Sequence, residues 1–218
     1  MNEISKVFVI GLKNMPERWR VTEAHLKSLG LNPKIFLGMY GKDSGLVSTK
    51  DLKSNLYFTL TPNRIALALN HWCLWNHIAL SDDISSAIIF EDDILLPNNF
   101  SEFFDATLKQ TPEDWDLVYL STLYPERMID GRMGVRKVGE SVWQYVRAMS
   151  WDGACDGAHA YMVSKKGVQK MVEHPFTLNE PIDRWMSFVL LPRMQSYIWH
   201  PSPVRTRDAW TSTTQYEF

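Results

Sequence analysis

Short apolar runs alternate with amphipathic segments through the first half of the chain. Continuous apolar runs bounded by glycine or polar residues predict buried strands, and apolar residues at every third or fourth position predict helices. Strands are predicted at 6–11, 33–41, 85–91 and 116–121, and helices at 16–30, 61–83 and 98–110. This alternation of strand and helix is typical of right-handed crossovers, so we expect a mostly parallel sheet flanked by helices.

The pattern changes in the second half of the chain. Residues 134–149 alternate around Gly139 and predict a hairpin, which a strand, two helices and a last strand are expected to follow. These elements are predicted at 158–164, 165–173, 181–191 and 195–204. We therefore expect a single α/β domain over residues 1–218, with a smaller and more antiparallel part in its second half.

Composition and charge narrow the class of protein. Of the 218 residues, 45% are hydrophobic and 22% are charged, which suits a globular domain with a substantial core. The formal net charge of -2 argues against a nucleic-acid partner, because nucleic-acid-binding domains usually carry a basic excess. No stretch approaches the roughly 20 apolar residues that a membrane-spanning helix needs, so no membrane span is expected.

The two cysteines and the N-terminal residues bear on the compartment. Cys73 and Cys155 are too few for a disulfide framework, which favours a reducing compartment. The opening MNEISKVFVIG is interpreted as the first strand, because it is too short and wrongly flanked for a signal peptide. We expect a soluble, cytoplasmic protein.

Three carboxylates stand where the third predicted strand ends. The stretch IIFEDDILLPNNF at 88–100 contains Glu91, Asp92 and Asp93. Like charges this close repel, so a bound cation or a helix N-terminus must offset the repulsion. Ligands of open α/β sheets bind at the carboxyl ends of strands, and carboxylate oxygens suit Mg²⁺ or Mn²⁺. Three explanations stay open: a metal site, a solvated turn, or a cap for the following helix.

Six blocks follow one another along residues 6–188: VFVIGLKNMPERW, RIALALNHWCLWNHIA, IIFEDDI, DWDLVYLS, GAHAYMVSKKGVQKMV and PIDRWM. Together they resemble glycosyltransferase family 25, the lipopolysaccharide and procollagen galactosyltransferase family. The match includes a first strand followed by a Leu-x-x-x-Pro-x-Arg element, a helix with a His-x-x-x-Trp core, and a Glu-Asp-Asp strand end. Asn70 stands where the family pattern has Ser.

The resemblance implies a GT-A fold and transfer of a hexose from a nucleotide sugar, usually with a divalent metal. The nucleotide-binding half would cover about residues 1–121 and the acceptor half about 122–218. By the same resemblance Asp93 binds the metal, and Glu91 or Asp92 contacts the ribose or a metal-bound water. Gly11 and Leu12, at the end of the first strand, would face the nucleotide base.

Several other side chains are candidates for the donor site. Arg18 and Arg64 are expected to contact the base or the diphosphate, since a guanidinium suits phosphate, although Arg18 equally fits a solvated helix face. His200 follows the last strand and is a candidate metal ligand, or a histidine packed at a strand end; Asp208 is the weaker alternative. His71 is interpreted as a packed histidine, with contact to the donor as the second interpretation.

Asp183 is the candidate general base. Pro181 begins the predicted helix and places Asp183 in its first turn, where inverting GT-A enzymes hold the carboxylate that deprotonates the acceptor. Stabilisation of the helix dipole is the alternative role. Asp152 and Asp156 are rival bases or acceptor contacts, and Trp151 either stacks on a sugar or belongs to the core.

The expected function is metal-dependent transfer of a hexose from a UDP-sugar to a glycan or another hydroxyl acceptor. The cofactor would be Mn²⁺ or Mg²⁺, and the partners a nucleotide-sugar donor and a glycan acceptor. Two other functions remain open: a metal-dependent nucleotide-sugar hydrolase or phosphatase, and a catalytically silent module that binds sugar nucleotides.

Overall fold

One eight-stranded sheet forms the centre of the protein in a computed structural model, which describes residues 4–49, 59–174, 177 and 179–207. The strand order is β2-β1-β3-β8-β5-β9-β7-β6. β7 and β8 run opposite to the other six strands. The α/β class and the mostly parallel strand direction are therefore confirmed.

The elements follow the predicted order. The strands of the large sheet are β1 (Lys6–Leu12), β2 (Pro33–Gly38), β3 (Ser86–Glu91), β5 (Leu117–Tyr119), β6 (Met133–Lys137), β7 (Val142–Ala148), β8 (Ala160–Ser164) and β9 (Ser196–Trp199). The helices are α1 (Pro16–Ser28), α2 (Pro62–Leu80), α3 (Phe100–Leu108), α4 (Glu126–Ile129), α5 (Lys165–Glu173) and α6 (Ile182–Trp185). A second, two-stranded sheet pairs β4 (Ile94–Leu95) with β10 (Arg205–Thr206).

The last two predicted elements are the ones that differ most from the structure. The helix predicted at 181–191 is α6 followed by a π-helical segment at Met186–Leu190 and a 3-10 turn at Leu191–Arg193. The strand predicted at 195–204 ends at Trp199, because Pro201 and Pro203 cannot donate to a strand ladder.

The two halves of the chain share the same sheet. β8, from the second half, lies antiparallel between β3 and β5 of the first half. β9 then pairs parallel with β5 and places the hairpin β6–β7 at the sheet edge. A boundary near residue 121 therefore does not divide the sheet into two bodies.

Both faces of the sheet are buried. Along β3, Ala87 and Ile89 pack into the cluster beneath α2 and α5, whereas Ile88 and Phe90 pack into the cluster beneath α1 and α3. This is the burial that a continuous apolar strand predicts. Thr61 caps α2 by accepting a hydrogen bond from the Arg64 N–H at 3.4 Å.

Two further observations concern the whole of the described chain. No helix among the described residues has the length and apolar character needed to cross a membrane. Cys73 is exposed and Cys155 is buried, and both are free thiols.

Candidate functional site

A cleft opens at the edge of the sheet where the parallel strands β1 and β3 end. Its volume is about 530 Å³, part of it open to solvent. The end of β1, the segment after β2, the first half of α2 and the end of β3 form its walls. The lining residues are Ile10, Leu12, Arg18, Met39, Tyr40, Gly41, Asn63, Ala66, Leu67, Asn70, Glu91, Asp92 and Asp93.

The three carboxylates stand at the strand end and not at a helix start. β3 ends at Glu91, and the chain passes through a turn into β4. α3 begins only at Phe100, with Asn99 at its cap position. The interpretation of the acidic triplet as a helix cap is therefore wrong, because the triplet lies well before the first turn of α3.

Arg18 offsets part of the negative charge. Its Nε and Nη2 donate to Asp92 Oδ1 at 3.0 and 2.7 Å, and Nη2 also lies 3.2 Å from Asp93 Oδ2. Arg18 is only 9% exposed, so its interpretation as part of a solvated helix face is wrong. The hydroxyl of Thr22, one turn later on α1, donates to the Asp92 carbonyl at 2.6 Å. α1 thus holds the turn after β3 in place.

The charge that remains is concentrated on Glu91 and Asp93. Burial and the neighbouring Glu91 raise the pKa of Asp93 to about 7. Asp93 Oδ1 is buried and has no hydrogen-bond partner among the described residues. Burial also disfavours ionisation of Glu91, but His71, His159 and Arg18 outweigh it and lower the pKa of that carboxyl. An ionised carboxylate therefore lies beside a second carboxyl that shares Arg18 with Asp92 through Oδ2 and whose Oδ1 has no partner among the described residues.

The pair fits a divalent cation that is completed by a substrate. Among the described residues no group of three or more His, Cys, Asp or Glu side chains is placed to hold a metal. Mg²⁺ is commonly bound by one or two carboxylates together with substrate phosphates and waters, and Asp93 Oδ1 is an unsatisfied hard oxygen of that kind. These two carboxylates would therefore hold a divalent cation only if a phosphate group of the substrate supplied further oxygen ligands.

The two further ligands predicted from the sequence are His200 and Asp208. The backbone N–H of His200 donates to the Ser141 carbonyl at 3.0 Å, just before β7 begins. Its role as a metal ligand stays a prediction. Asp208 lies outside the described residues. The described chain does return to the carboxylates, since the Arg207 N–H donates to the Asp93 carbonyl at 2.7 Å.

Two residues, Gly11 and Leu12, were predicted to face the nucleotide base, and they differ in whether they line the cleft. Leu12 lines the cleft. Gly11 does not: a Cβ at this position would lie 2.6 Å from Trp19 Cδ1, so the glycine allows α1 to pack closely on β1. Arg64 is half-buried in the first turn of α2, one residue after Asn63 of the cleft wall, and its role with the donor stays a prediction.

Asn70 and Gly41 build a wall of the cleft that the sequence did not reveal. Asn70 accepts from the Met39 N–H at 2.9 Å and donates to the Met39 carbonyl at 3.0 Å. A Cβ at Gly41 would lie 2.1 Å from the Pro62 carbonyl oxygen. The segment after β2 is therefore fastened to α2 at two points. Asn70 in place of the family's Ser was the one available signal.

Asp183 lies next to the loop before β8, in a second polar cluster that also contains Asp156, Arg127 and Arg184. It accepts from the Gly157 N–H at 3.1 Å and from the Arg184 N–H at 2.9 Å. Burial, and then the Asp156 charge, raise the pKa of Asp183 above its ordinary value. A carboxylate with a raised pKa is a stronger base than one in water.

The rival bases are each engaged in ion pairs. Asp156 lies 2.6 Å from Arg127 Nη1 and is buried. Asp152 is exposed, and hydrogen bonds from Ser150 and Arg132 lower its pKa to about 2. The lowered pKa makes Asp152 a poor proton acceptor, and the ion pair with Arg127 engages one carboxylate oxygen of Asp156. Trp151 is 54% exposed and stacks on Phe188 with 5.3 Å between ring centroids, so its assignment to the core is wrong.

Comparison with protein-family profiles identifies the family of this chain. The profile described as Glycosyltransferase family 25 (LPS biosynthesis protein) matches residues 4–186. The chain belongs to glycosyltransferase family 25. A curated relative, a "Glycosyltransferase 25 family member" from Aedes aegypti, is 21% identical over 203 residues. That alignment covers 84% of this chain and 30% of the relative, so the family 25 chain spans about a third of the relative's length.

Solved structures that resemble this family 25 protein are distant in sequence. A glycosyltransferase involved in the glycosylation of the major capsid of PBCV-1 matches 88% of this chain and 80% of its own, with TM-score 0.48 and 8% identity. A mutant of a Drosophila β1,4-galactosyltransferase 7, in complex with manganese, UDP-Gal and xylobiose, matches 95% and 75%, with TM-score 0.42 and 12% identity.

Proposed function

We propose that this family 25 protein transfers a hexose from a UDP-sugar to a hydroxyl of a glycan acceptor, with Mn²⁺ or Mg²⁺ as cofactor. One observation carries the metal-dependent part of the proposal. Arg18 pairs with Asp92, whereas Glu91 and Asp93 line the cleft and, within the described part of the chain, the buried Asp93 Oδ1 has no partner. A divalent cation is the partner that such a pair lacks.

Asp93 would hold the cation through Oδ1, and Glu91 would contact the ribose or a metal-bound water. When bound, the cation stabilises negative charge on the diphosphate leaving group. The nucleotide-binding half, residues 1–121, contributes every side chain that lines the cleft. Leu12 offers an apolar surface to the base, and Arg64 offers a guanidinium near the start of α2. The choice of UDP rests on the family resemblance.

Asp183, from the acceptor half, is the proposed general base. Its two hydrogen bonds from backbone N–H groups fix the orientation of the carboxylate. Its raised pKa favours acceptance of the proton that the acceptor hydroxyl loses on attack at the anomeric carbon. This role requires inversion of configuration, since a retaining reaction needs no such base on the acceptor side.

A thermal-shift panel tests the donor and the cofactor together. UDP, GDP and CMP are each added with Mn²⁺ or with EDTA, and the melting temperature is recorded. A ligand that binds only the folded state raises the melting temperature by mass action. We expect the largest rise for UDP with Mn²⁺ and little rise in EDTA. A larger rise with GDP or CMP would contradict the donor, and an undiminished rise in EDTA would contradict the cofactor.

A further inference from the structure

Three buried side chains form a row beneath the cleft, between α2 and β8. His71 and Trp75 lie one turn apart on α2, Tyr161 lies on β8, and all three are 0% exposed. Trp75 Nε1 donates to Tyr161 Oη at 2.8 Å. His71 Nδ1 lies 2.8 Å from the same oxygen. One tyrosine hydroxyl therefore links both side chains of the helix.

The chemistry of the three groups fixes the positions of the protons. An indole N–H can only donate, so the Tyr161 oxygen accepts from Trp75. His71 Nδ1 is the one acceptor for this buried hydroxyl among the described residues, so the Tyr161 proton is directed to it. A neutral imidazole that accepts at Nδ1 carries its proton on Nε2. The row thus selects the Nε2–H tautomer of His71.

The far end of the row points at the cleft. His71 Nε2 is buried and has no hydrogen-bond partner among the described residues. Glu91 Oε1 lies 3.6 Å from it, slightly beyond hydrogen-bonding distance. The Glu91 side chain is 24% exposed and lines the cleft, so it has room to move toward His71.

We propose that His71 is a positioning residue: it donates from Nε2 to Glu91 Oε1 when the nucleotide donor binds, and so turns Glu91 Oε2 toward the donor. Trp75 and Tyr161 act through His71 by holding its ring and its tautomer. The inference rests on the proposed function, because it assumes that a nucleoside diphosphate occupies the cleft.

Removal of the Nε2 donor tests the proposal. We compare His71→Leu, which has no donor, with His71→Gln, whose side-chain amide retains one. Partners that orient a ligand-binding group typically change affinity about 10–100-fold. Isothermal titration of UDP in Mg²⁺ is expected to show a loss of about that size in His71→Leu and affinity close to that of wild type in His71→Gln. Equal losses in the two variants would overturn the proposal.

A pair of buried tyrosines provides the control for packing. Tyr161→Phe removes the linking hydroxyl, whereas Tyr119→Phe removes a hydroxyl from an adjacent, equally buried ring 6.2 Å away. We expect Tyr161→Phe to weaken UDP binding and Tyr119→Phe to leave it unchanged. Equal effects would assign Tyr161 to packing alone and contradict its role.

The wild-type protein supplies a test that does not depend on any variant's folding. ¹⁵N NMR of the imidazoles should show His71 as the Nε2–H tautomer, and its Nε2–H resonance should shift when UDP and Mg²⁺ are added. A Nδ1–H tautomer, or an unchanged resonance at saturating UDP, would overturn the proposal. If wild type binds no UDP, the proposed function fails and this inference with it. Tight UDP binding by both wild type and His71→Leu removes only the positioning role.

Discussion

Arg18 and Asp92 form a buried ion pair in which two donors of one guanidinium, Nε and Nη2, meet the same carboxylate oxygen at 3.0 and 2.7 Å. Asp92 is 6% exposed, so the pair is shielded from water. The pair makes the three adjacent carboxylates inequivalent. Asp92 faces α1 and fixes the turn, and Glu91 faces His71 on α2. Asp93 retains one oxygen with no partner in the part of the chain that the structure describes.

Arg18→Met should destabilise the fold by leaving Asp92 buried without its counter-charge. Removal of one partner from a buried ion pair typically costs about 3–5 kcal/mol. Urea denaturation measures the free energy of unfolding of the variant. Arg20→Met, on the exposed side of the same helix, is the matched control and should have little effect. If both variants unfold like wild type, the buried pair does not stabilise the turn.

Asp93 should make the stability of the metal-free protein depend on pH. Its folded-state pKa is raised to about 7 by burial and by Glu91. The contribution of this carboxyl to stability is therefore fully present below its ordinary pKa of about 3.9 and is lost as pH rises through about 7. Asp93→Asn, which stays neutral, should gain about 2–3 kcal/mol relative to wild type between pH 5 and pH 8.

Urea denaturation in EDTA at the two pH values measures this difference. Asp82→Asn, an exposed change at the end of α2, is the control and should follow wild type at both. A constant offset between Asp93→Asn and wild type from pH 5 to pH 8 would show that Asp93 has no raised pKa.

The sequence indicated most helices and strands because the signals that determine them are local. The apolar run of β3 and the Thr61–Pro62 start of α2 determine structure within a few residues, and both were predicted. The antiparallel insertion of β8 between β3 and β5 depends on contacts between distant segments. No periodicity in 158–164 indicates the direction in which that strand runs.

The sequence indicated the carboxylates of the candidate site, but it did not indicate which side chains contact them. Glu91 and Asp93 were recognisable from three acids at a strand end. Arg18 was ambiguous because its partner lies 74 residues away, and only the packing of α1 on β1 brings the two together. Gly11 was predicted to face the base, which stays a prediction, and its missing side chain makes space for Trp19.

Asp183→Asn should slow sugar transfer without weakening UDP binding. The variant keeps the size of the side chain but cannot accept the proton of the acceptor, and loss of a general base typically lowers the rate by about 10²–10⁴. Because the pKa of Asp183 is raised, the wild-type rate should begin to fall, as pH is lowered, at a higher pH than an ordinary aspartate would give.

Measurement of kcat and of the UDP dissociation constant separates the two effects. Asp152→Asn, a change at an exposed carboxylate already paired with Arg132, should leave kcat unchanged. An unaltered kcat in Asp183→Asn, or a product with retained configuration, would rule out Asp183 as the base.

Isothermal titration of UDP into Asp93→Asn tests most directly the claim that the carboxylates of the cleft bind the donor through a divalent cation. Wild type, Asp93→Asn and the control Asp82→Asn are titrated in Mn²⁺ and again in EDTA. The account predicts that wild type and the control bind UDP tightly only in Mn²⁺, and that Asp93→Asn binds weakly in both solutions. Binding by Asp93→Asn in Mn²⁺ with the affinity of wild type would contradict it.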